Sequence, residues 1–257
     1  MGGWFGKLIG GTTGFFIGGP IGAVLGAVIG HSFDRRSNVE TSGYSSYRSG
    51  SQTFTSNDQS QMIFFLATFS MLGKMAAADG KVSSEEIRAI EEFIDRNLRI
   101  NASEKQFAMR IVSTSAQSHE PFEKFAQQFY SLFYRQPEML QTMYDILYKV
   151  ATADNSLTAD EEKILDSTTK IFNLRTSSGS TAATYRASSS DKNYSTLECK
   201  KTDSNDTIKS AYKRLVKDYH PDTIASKGLP EEFTKFAAQK FTEINQAYEE
   251  IRKERNF

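Results

Sequence analysis

The sequence predicts an all-α protein built from three helical parts. Apolar residues recur three and four positions apart through the middle and the end of the chain, and no segment shows the convincing apolar–polar alternation of a strand. The first thirty residues are rich in glycine, and two later stretches are rich in serine and threonine. These shifts divide the chain into an N-terminal Gly-rich membrane helix, a central helical bundle and a C-terminal helical hairpin.

The N-terminal part, residues 1–36, is predicted to be a membrane segment. Residues 8–33 contain no Asp, Glu, Lys or Arg, and about 20 uncharged, mainly apolar residues are enough to cross a bilayer. Arg35 and Arg36 follow at once, which favours a single pass with the rest of the chain in the cytoplasm. The main alternative is a short helical hairpin broken at Gly18-Gly19-Pro20, because proline disrupts helix interiors.

Glycine recurs at every fourth position of this segment. On a helix this spacing produces one smooth face, which lets two helix backbones approach closely. We therefore expect a homodimer that pairs through this face. The glycines expected in the contact are Gly10, Gly14, Gly18, Gly22, Gly26 and Gly30.

Two stretches are predicted to be flexible linkers. Residues 37–56 and 176–191 are rich in Ser and Thr and show little periodicity. They leave a central domain at 57–175 and a C-terminal domain at 192–257. The 31 basic and 31 acidic residues balance, so the composition gives no reason to expect a nucleic-acid partner. The single cysteine, Cys199, excludes an intrachain disulfide and has no cluster around it that predicts an enzyme.

The central domain is predicted to contain six amphipathic helices packed as a bundle. Pro121 and Pro137 are expected at the first position of the fourth and fifth helices, where a missing N–H does no harm. The first two helices are marked by Ile63, Leu66, Ala67, Phe69 and Leu72, and by Ile87, Ile90, Phe93, Ile94 and Leu98.

One pattern occurs twice in this domain, as ADGKVSSEE at 78–86 and as ADNSLTADE at 153–161. It predicts a turn between two helices, in which Gly80 is left-handed and Ser83 or Thr158 caps the next helix. Alternatively, carboxylates of the repeat hold a divalent metal ion. The metal candidates are Asp79, Glu86, Asp154 and Glu161. Because the spacing is not that of an EF-hand loop, capping is favoured and no cofactor is expected.

The duplicated pattern, within an all-helical domain, resembles the TerB family, named after a tellurite-resistance protein. The resemblance implies a TerB-like bundle near a membrane, with metal binding as a proposed property of the family.

The C-terminal domain has the pattern of two antiparallel helices. The first has one apolar face and lysines at every fourth position, and the second places apolar residues from Phe233 to Ile251 on one side. We expect these two apolar faces to bury each other, which leaves His220-Pro221-Asp222 exposed at the tip.

Four motifs here resemble the J-domain family: Tyr194 to Leu197, Ile208 to Leu215, Tyr219 to Asp222, and Lys240 to Tyr248. The resemblance implies that His220, Pro221 and Asp222 engage a DnaK-type chaperone and trigger its ATPase. It also implies that a basic face meets an acidic surface of that partner, through Lys209, Lys213, Arg214 and Lys217. Thr223 and Glu198 depart from the family, which commonly has lysine and glycine there.

The order of the three parts is similar to the DjlA family, the membrane-anchored DnaJ-like co-chaperones of Gram-negative bacteria. That resemblance implies a single-pass inner-membrane protein, dimeric through its membrane segment, with its central and J domains in the cytoplasm. Neither zinc repeats nor a Gly/Phe-rich region is present, so the client-binding parts of full DnaJ are missing. The alternative function is a TerB-type membrane stress or metal-binding module whose J-domain is only an interaction surface.

Overall fold

The computed structural model describes residues 18–34, 55–153, 157–174 and 192–257. All regular elements in these ranges are helices, which confirms the all-α fold. The helices are α1 (Gly19–Asp34), α2 (Ser56–Ala76), α3 (Ser84–Asn97), α4 (Ala102–Ala116), α5 (Phe122–Phe133), α6 (Pro137–Ala151), α7 (Ala159–Ile171), α8 (Lys192–Thr196), α9 (Asn205–Asp218), α10 (Pro221–Ser226), a 3-10 helix (Glu231–Phe233) and α11 (Thr234–Arg255). The six helices predicted for the central domain are α2 to α7.

Helix α2 lies at the centre of the bundle. It contacts α1, α3, α4, α5 and α6, and it is buried on all sides from Phe64 to Leu72. At Gly73 it approaches α4 very closely. A side chain there would collide with the Val112 carbonyl and the Ser115 hydroxyl. Glycine at this position therefore sets how closely the two helices cross.

The helix starts follow local chemistry. Ser83 and Glu86 form a capping box at the start of α3, and Thr158 and Glu161 form the matching one at α7, as the repeat predicts. Gly80 has a φ of 87°, the left-handed conformation expected there. Pro137 opens α6 as predicted. Pro121 lies one residue before the position predicted for it, because its extended ψ of 156° makes it the N-cap of α5.

The N-terminal segment is described from Gly18 onward. Helix α1 starts at Gly19, whose left-handed φ of 73° changes the direction of the chain after Gly18. The helix packs against α2, α4 and α5. Gln128 of α5 holds this start, because its side-chain carbonyl accepts from the Ile21 amide at 3.0 Å and its amino group donates to the Gly18 carbonyl. The buried face of α1 contains Ile21, Val24, Leu25 and Val28.

Within the described ranges, no helix combines the length and the apolar character needed to cross a bilayer. The single continuous helix expected through Gly18 and Gly19 is thus not seen there, because the left-handed backbone of Gly19 interrupts it. The break lies at the glycine–proline site of the hairpin alternative. An arm before Gly18 would fall outside the described residues.

The glycine stripe is partly described. Gly18, just before α1, and Gly26 within it are exposed, and a methyl group added to either would meet no atom within 4 Å. Gly22 is half-buried, Gly30 belongs to α1, and Gly10 and Gly14 lie outside the described residues. Pairing through these glycines stays a prediction.

The C-terminal domain shares a hydrophobic core with the central bundle. Phe233 is fully buried, and its ring centroid lies 5.2 Å from that of Phe64 and 6.2 Å from that of Phe69. Phe236 enters the same core beside Phe93 at 5.7 Å. The expectation that the two apolar faces bury each other therefore fails for Phe233 and Phe236, which pack on the bundle instead.

The reason is the difference in length between the two helices. Helix α11 has 22 residues and α9 has 14, so the first turns of α11 extend past the end of α9. Only the later turns of α11 complete the hairpin, where Ile244 and Ile251 pack with Ile208 and Leu215.

Candidate functional site at the His-Pro-Asp turn

The His-Pro-Asp motif lies where the chain turns from α9 into the short helix α10. Tyr219 is the C-cap of α9 and is buried, whereas His220 has an extended backbone and caps the start of α10. Pro221 occupies the first helical position, where its fixed φ suits a helix start. The side chains of His220 and Asp222 are 47% and 95% exposed, so the motif faces outward as the sequence predicts.

The imidazole of His220 is held on two sides. Its Nδ1 accepts a hydrogen bond from the Asp222 amide at 3.2 Å, and the edge of the ring meets Phe241 of α11 at 5.8 Å between centroids. A neutral imidazole that accepts at Nδ1 carries its proton on Nε2. With Nδ1 accepting, the ring offers its Nε2 N–H as a donor, and Asp222 adds a carboxylate acceptor on a backbone stiffened by proline.

The basic residues predicted to accompany the turn are on α9. Lys213, Arg214 and Lys217 are exposed, and Lys209 is half-buried with its ammonium 4.9 Å from the centroid of the Phe257 ring. Arg214 differs from the lysines, because its guanidinium is bonded to the Glu198 carboxylate and lies 3.9 Å from Asp218. The structure thus directs Arg214 toward the loop before α9.

Glu198 is one of the two departures from the J-domain pattern, and it has a φ of 55°, a conformation that favours glycine. Its carboxylate contacts both Arg214 and the Gln141 side chain of α6, at 3.2 Å in the latter case. Burial raises the pKa of Glu198, and the neighbouring Arg214 opposes that shift. The second departure, Thr223, lies inside α10, where its carbonyl accepts from the Lys227 amide.

Sequence reasoning missed the contact between this turn and α6. The Tyr219 hydroxyl donates to the Asp145 carboxylate, and the Lys240 ammonium of α11 lies 3.5 Å from the same carboxylate. A signal was present, because Asp145 stands between apolar residues in a helix that is otherwise buried there. A carboxylate at such a position needs partners from elsewhere in the fold.

Three of the four metal candidates of the duplicated pattern accept hydrogen bonds from nearby backbone amides. The Glu86 and Glu161 carboxylates accept from the Ser83 and Thr158 amides at 2.7 and 2.9 Å. Asp79 accepts from the Lys81 amide, and Asp154 lies outside the described residues. No group of three or more His, Cys, Asp or Glu side chains among the described residues could hold a metal ion. Metal binding by Asp79, Glu86, Asp154 and Glu161 stays a prediction.

Glu86 and Glu161 line the same cavity of about 300 Å³, whose apolar wall includes Leu72, Met75 and Val150. The cavity lies where α2 and α6 end and where α3 and α7 begin, so the repeat produces two related turns around one space.

Three family models match the chain. A model described as the co-chaperone DjlA transmembrane domain matches residues 1–51, one for the tellurite resistance protein TerB matches residues 65–203, and the DnaJ domain matches residues 192–256. The TerB match extends past the end of α7 and into the C-terminal domain. No solved structure matches the chain significantly.

Curated relatives match over most of their length. The co-chaperone protein DjlA of Escherichia coli K12 is 26% identical and aligns over 89% of each chain. The protein of the same name from Photobacterium profundum is 28% identical over 98% of this chain and 99% of the relative, and that from Coxiella burnetii is 30% identical over 98% of each. With its transmembrane, TerB and DnaJ matches in this order, the chain belongs to the DjlA family of membrane-anchored co-chaperones.

Proposed function

We propose that this protein stimulates ATP hydrolysis by a DnaK-type chaperone and that its His-Pro-Asp turn is the trigger. Membership of the DjlA family makes the chain a co-chaperone with a J domain. The observation that carries the finer proposal is the exposed turn, in which backbone bonding and the Phe241 ring fix the His220 imidazole. The protein itself performs no covalent chemistry in this proposal.

Stimulation of this kind rests on differential binding. A co-chaperone can shift its partner toward a hydrolysing conformation only by binding that conformation more tightly. The turn offers one N–H donor and one carboxylate at fixed positions, which suits a specific contact. Lys213 and Lys217 sit nearby on an exposed face and would guide the encounter with an acidic surface.

We further propose that the N-terminal segment anchors this activity at the bacterial inner membrane, with the remaining domains in the cytoplasm. The transmembrane-domain match over residues 1–51 and the arginines at 35 and 36 support this placement. The anchor would form a homodimer through the glycine stripe, and the exposure of Gly26 on α1 supports that pairing.

The trigger is tested by replacing His220 with glutamine in the full chain reconstituted into vesicles. We expect His220→Gln to abolish stimulation of single-turnover ATP hydrolysis by DnaK, because the flexible amide lacks the ring that contacts Phe241 and does not hold its N–H at the same position. His119→Gln is the matched control, since His119 is also exposed but lies between α4 and α5. Equal stimulation by wild type and His220→Gln would refute the proposal.

The homodimer is tested by cross-linking of the same vesicles at low protein density. Gly22→Leu and Gly26→Leu should each reduce the cross-linked dimer, because a side chain on the smooth face separates the helices. Ala27→Leu changes an exposed residue beside the stripe and should leave the dimer intact. A dimer insensitive to both glycine substitutions would exclude pairing through this face.

A further inference from the structure

Two residues that bracket the His-Pro-Asp turn are both bound to helix α6 of the central domain. Tyr219, directly before His220, donates its hydroxyl to Asp145. Lys227, directly after α10, places its ammonium 3.8 Å from the Glu138 carboxylate. Glu138 and Asp145 are seven residues apart and therefore lie on one face of α6, about two turns from each other. One face of the central domain thus holds both ends of the turn.

Asp145 is the centre of this contact. Its side chain is only 5% exposed, and its carboxylate also lies 3.3 Å from the Gln141 amide in α6. A buried carboxylate needs charged or hydrogen-bonding partners, and two of those found here, Tyr219 and Lys240, come from the C-terminal domain. Because Tyr219 ends α9 and Lys240 belongs to α11, Asp145 joins both long helices of the hairpin at the base of the turn.

The contact leaves the opposite side of the turn open. The side chains of His220 and Asp222 stay exposed, as do Lys213 and Lys217 on α9. Helix α6 therefore contacts the turn on the side opposite to the exposed groups. It does not cover the side chains proposed to bind the chaperone. This arrangement favours a positioning role over a masking one.

We infer that Asp145 is a positioning residue through which the central domain orients the His-Pro-Asp turn for the chaperone. The inference rests on the proposed function and adds a dependence of J-domain activity on α6. A turn released from Asp145 samples several orientations, of which only a fraction can bind productively. The apparent affinity for the chaperone then falls by that fraction, while the rate of the bound complex stays the same.

The experiment measures DnaK ATPase stimulation against the concentration of the full chain. Tyr219→Phe removes only the hydroxyl of a buried ring, and Asp145→Asn keeps the size of the side chain. Each should raise the half-maximal concentration about three- to tenfold, with maximal stimulation unchanged. The double variant should raise it by less than the product of the two single effects, because the two residues share the Tyr219–Asp145 bond. Lys227→Gln, at the other end of the turn, should shift the curve in the same direction.

Tyr144→Phe is the matched control. Tyr144 is a buried tyrosine of the same helix, and its hydroxyl bonds to Thr169 in α7 rather than to the turn. It should stimulate like wild type. Circular dichroism and the melting temperature of each variant establish that the curves compare folded proteins.

The outcomes separate this inference from the proposed function. If His220→Gln abolishes stimulation while Tyr219→Phe and Asp145→Asn match wild type, the positioning role is wrong and the trigger stands. If these two variants lower the half-maximal concentration, the contact masks the turn, which also overturns the inference. If His220→Gln stimulates fully, the proposed function itself fails.

Discussion

Glu198 shows at the residue scale how one departure from a family pattern changes a fold locally. The J-domain pattern commonly has glycine at this position, and the backbone keeps the left-handed conformation that glycine would adopt, with a φ of 55°. An ordinary residue in this region costs roughly 1–2 kcal/mol. The Glu198 carboxylate contacts Arg214 of α9 and Gln141 of α6. These contacts connect the loop after α8 to both helices.

A pair of substitutions at Glu198 separates the backbone strain from the side-chain contact. Glu198→Ala keeps the strain and loses the contact, whereas Glu198→Gly loses both. We therefore expect the glycine variant to be more stable than the alanine variant by about 1 kcal/mol. Urea denaturation of the two proteins measures this difference. Equal free energies of unfolding would show that the left-handed backbone is not strained.

Asp218 makes the stability depend on pH. Burial raises the pKa of its carboxyl to about 6, with Arg214 opposing and Glu138 and Glu198 adding to the shift. A carboxyl whose pKa is higher in the folded than in the unfolded protein binds protons better when folded. Its contribution to stability is therefore largest below about pH 4 and is lost as the pH rises through about 6.

We expect Asp218→Asn to stabilise the protein at pH 7 by roughly 1 kcal/mol, a value reduced for partial exposure, and to have little effect at pH 4. Melting temperatures at both pH values measure this. Asp206→Asn, at an exposed site of the same helix, provides the comparison. A stabilisation by Asp218→Asn that is the same at both pH values would contradict the assignment.

Helix α9 shows at the element scale how the two faces of one amphipathic helix serve different purposes. Ile208 and Leu215 are buried against α11, and Lys213 and Lys217 lie on the exposed face. The helix starts at a Ser204 cap, whose hydroxyl accepts from the Thr207 amide at 3.1 Å. Because these two lysines are exposed, we expect their replacement to leave the fold intact.

The double variant Lys213→Ala/Lys217→Ala should raise the half-maximal concentration for DnaK stimulation severalfold at low salt and leave the melting temperature unchanged. Exposed charges act mainly on the encounter, and about 0.15 M salt already screens them beyond roughly 8 Å. The effect should therefore shrink as salt is added. Lys124→Ala, an exposed lysine on α5, is the control. A loss of activity that salt does not reduce would argue against steering.

What could be predicted from the sequence was local. The capping boxes at Ser83 and Thr158, the left-handed Gly80 and the exposed turn depend on residues within a few positions of each other, so spacing alone indicates them. The partners of Asp145 and Phe233 could not be predicted in this way. Both depend on contacts between residues far apart in the chain, and the apolar face of α11 fits a helix of the hairpin as well as it fits the bundle.

At the scale of the whole molecule, the central and C-terminal domains form one packed unit. The first turns of α11 and the segment before them insert Ile224, Leu229, Phe233 and Phe236 into the core of the bundle. Two hydrogen bonds also join the central and C-terminal domains. The Arg99 backbone amide donates to the Glu232 carbonyl at 2.9 Å, and the Asn97 side-chain amide donates to the Gln239 side-chain carbonyl at 2.8 Å. Interfaces that are large and hydrophobic oppose independent domain motion.

Phe233→Ala tests this unity. Truncating a fully buried phenylalanine costs about 3–5 kcal/mol, and here the loss falls on the contact between the two domains. We expect calorimetry to show one cooperative transition for the wild type and two for the variant. Ile251→Ala, which weakens only the packing within the hairpin, is the comparison and should not divide the transition in this way. A single transition in both variants would contradict the shared core.

The shared core also bears on how the protein is made. The Phe233 ring packs against three rings that are synthesised much earlier, those of Phe64, Phe65 and Phe69. About 160 residues separate them, which corresponds to about 10–30 s at a synthesis rate of about 5–20 residues per second. During that interval an aromatic surface of the nascent chain lacks its cover. We therefore expect this co-chaperone to be, during its own synthesis, a client of the chaperones with which its family works.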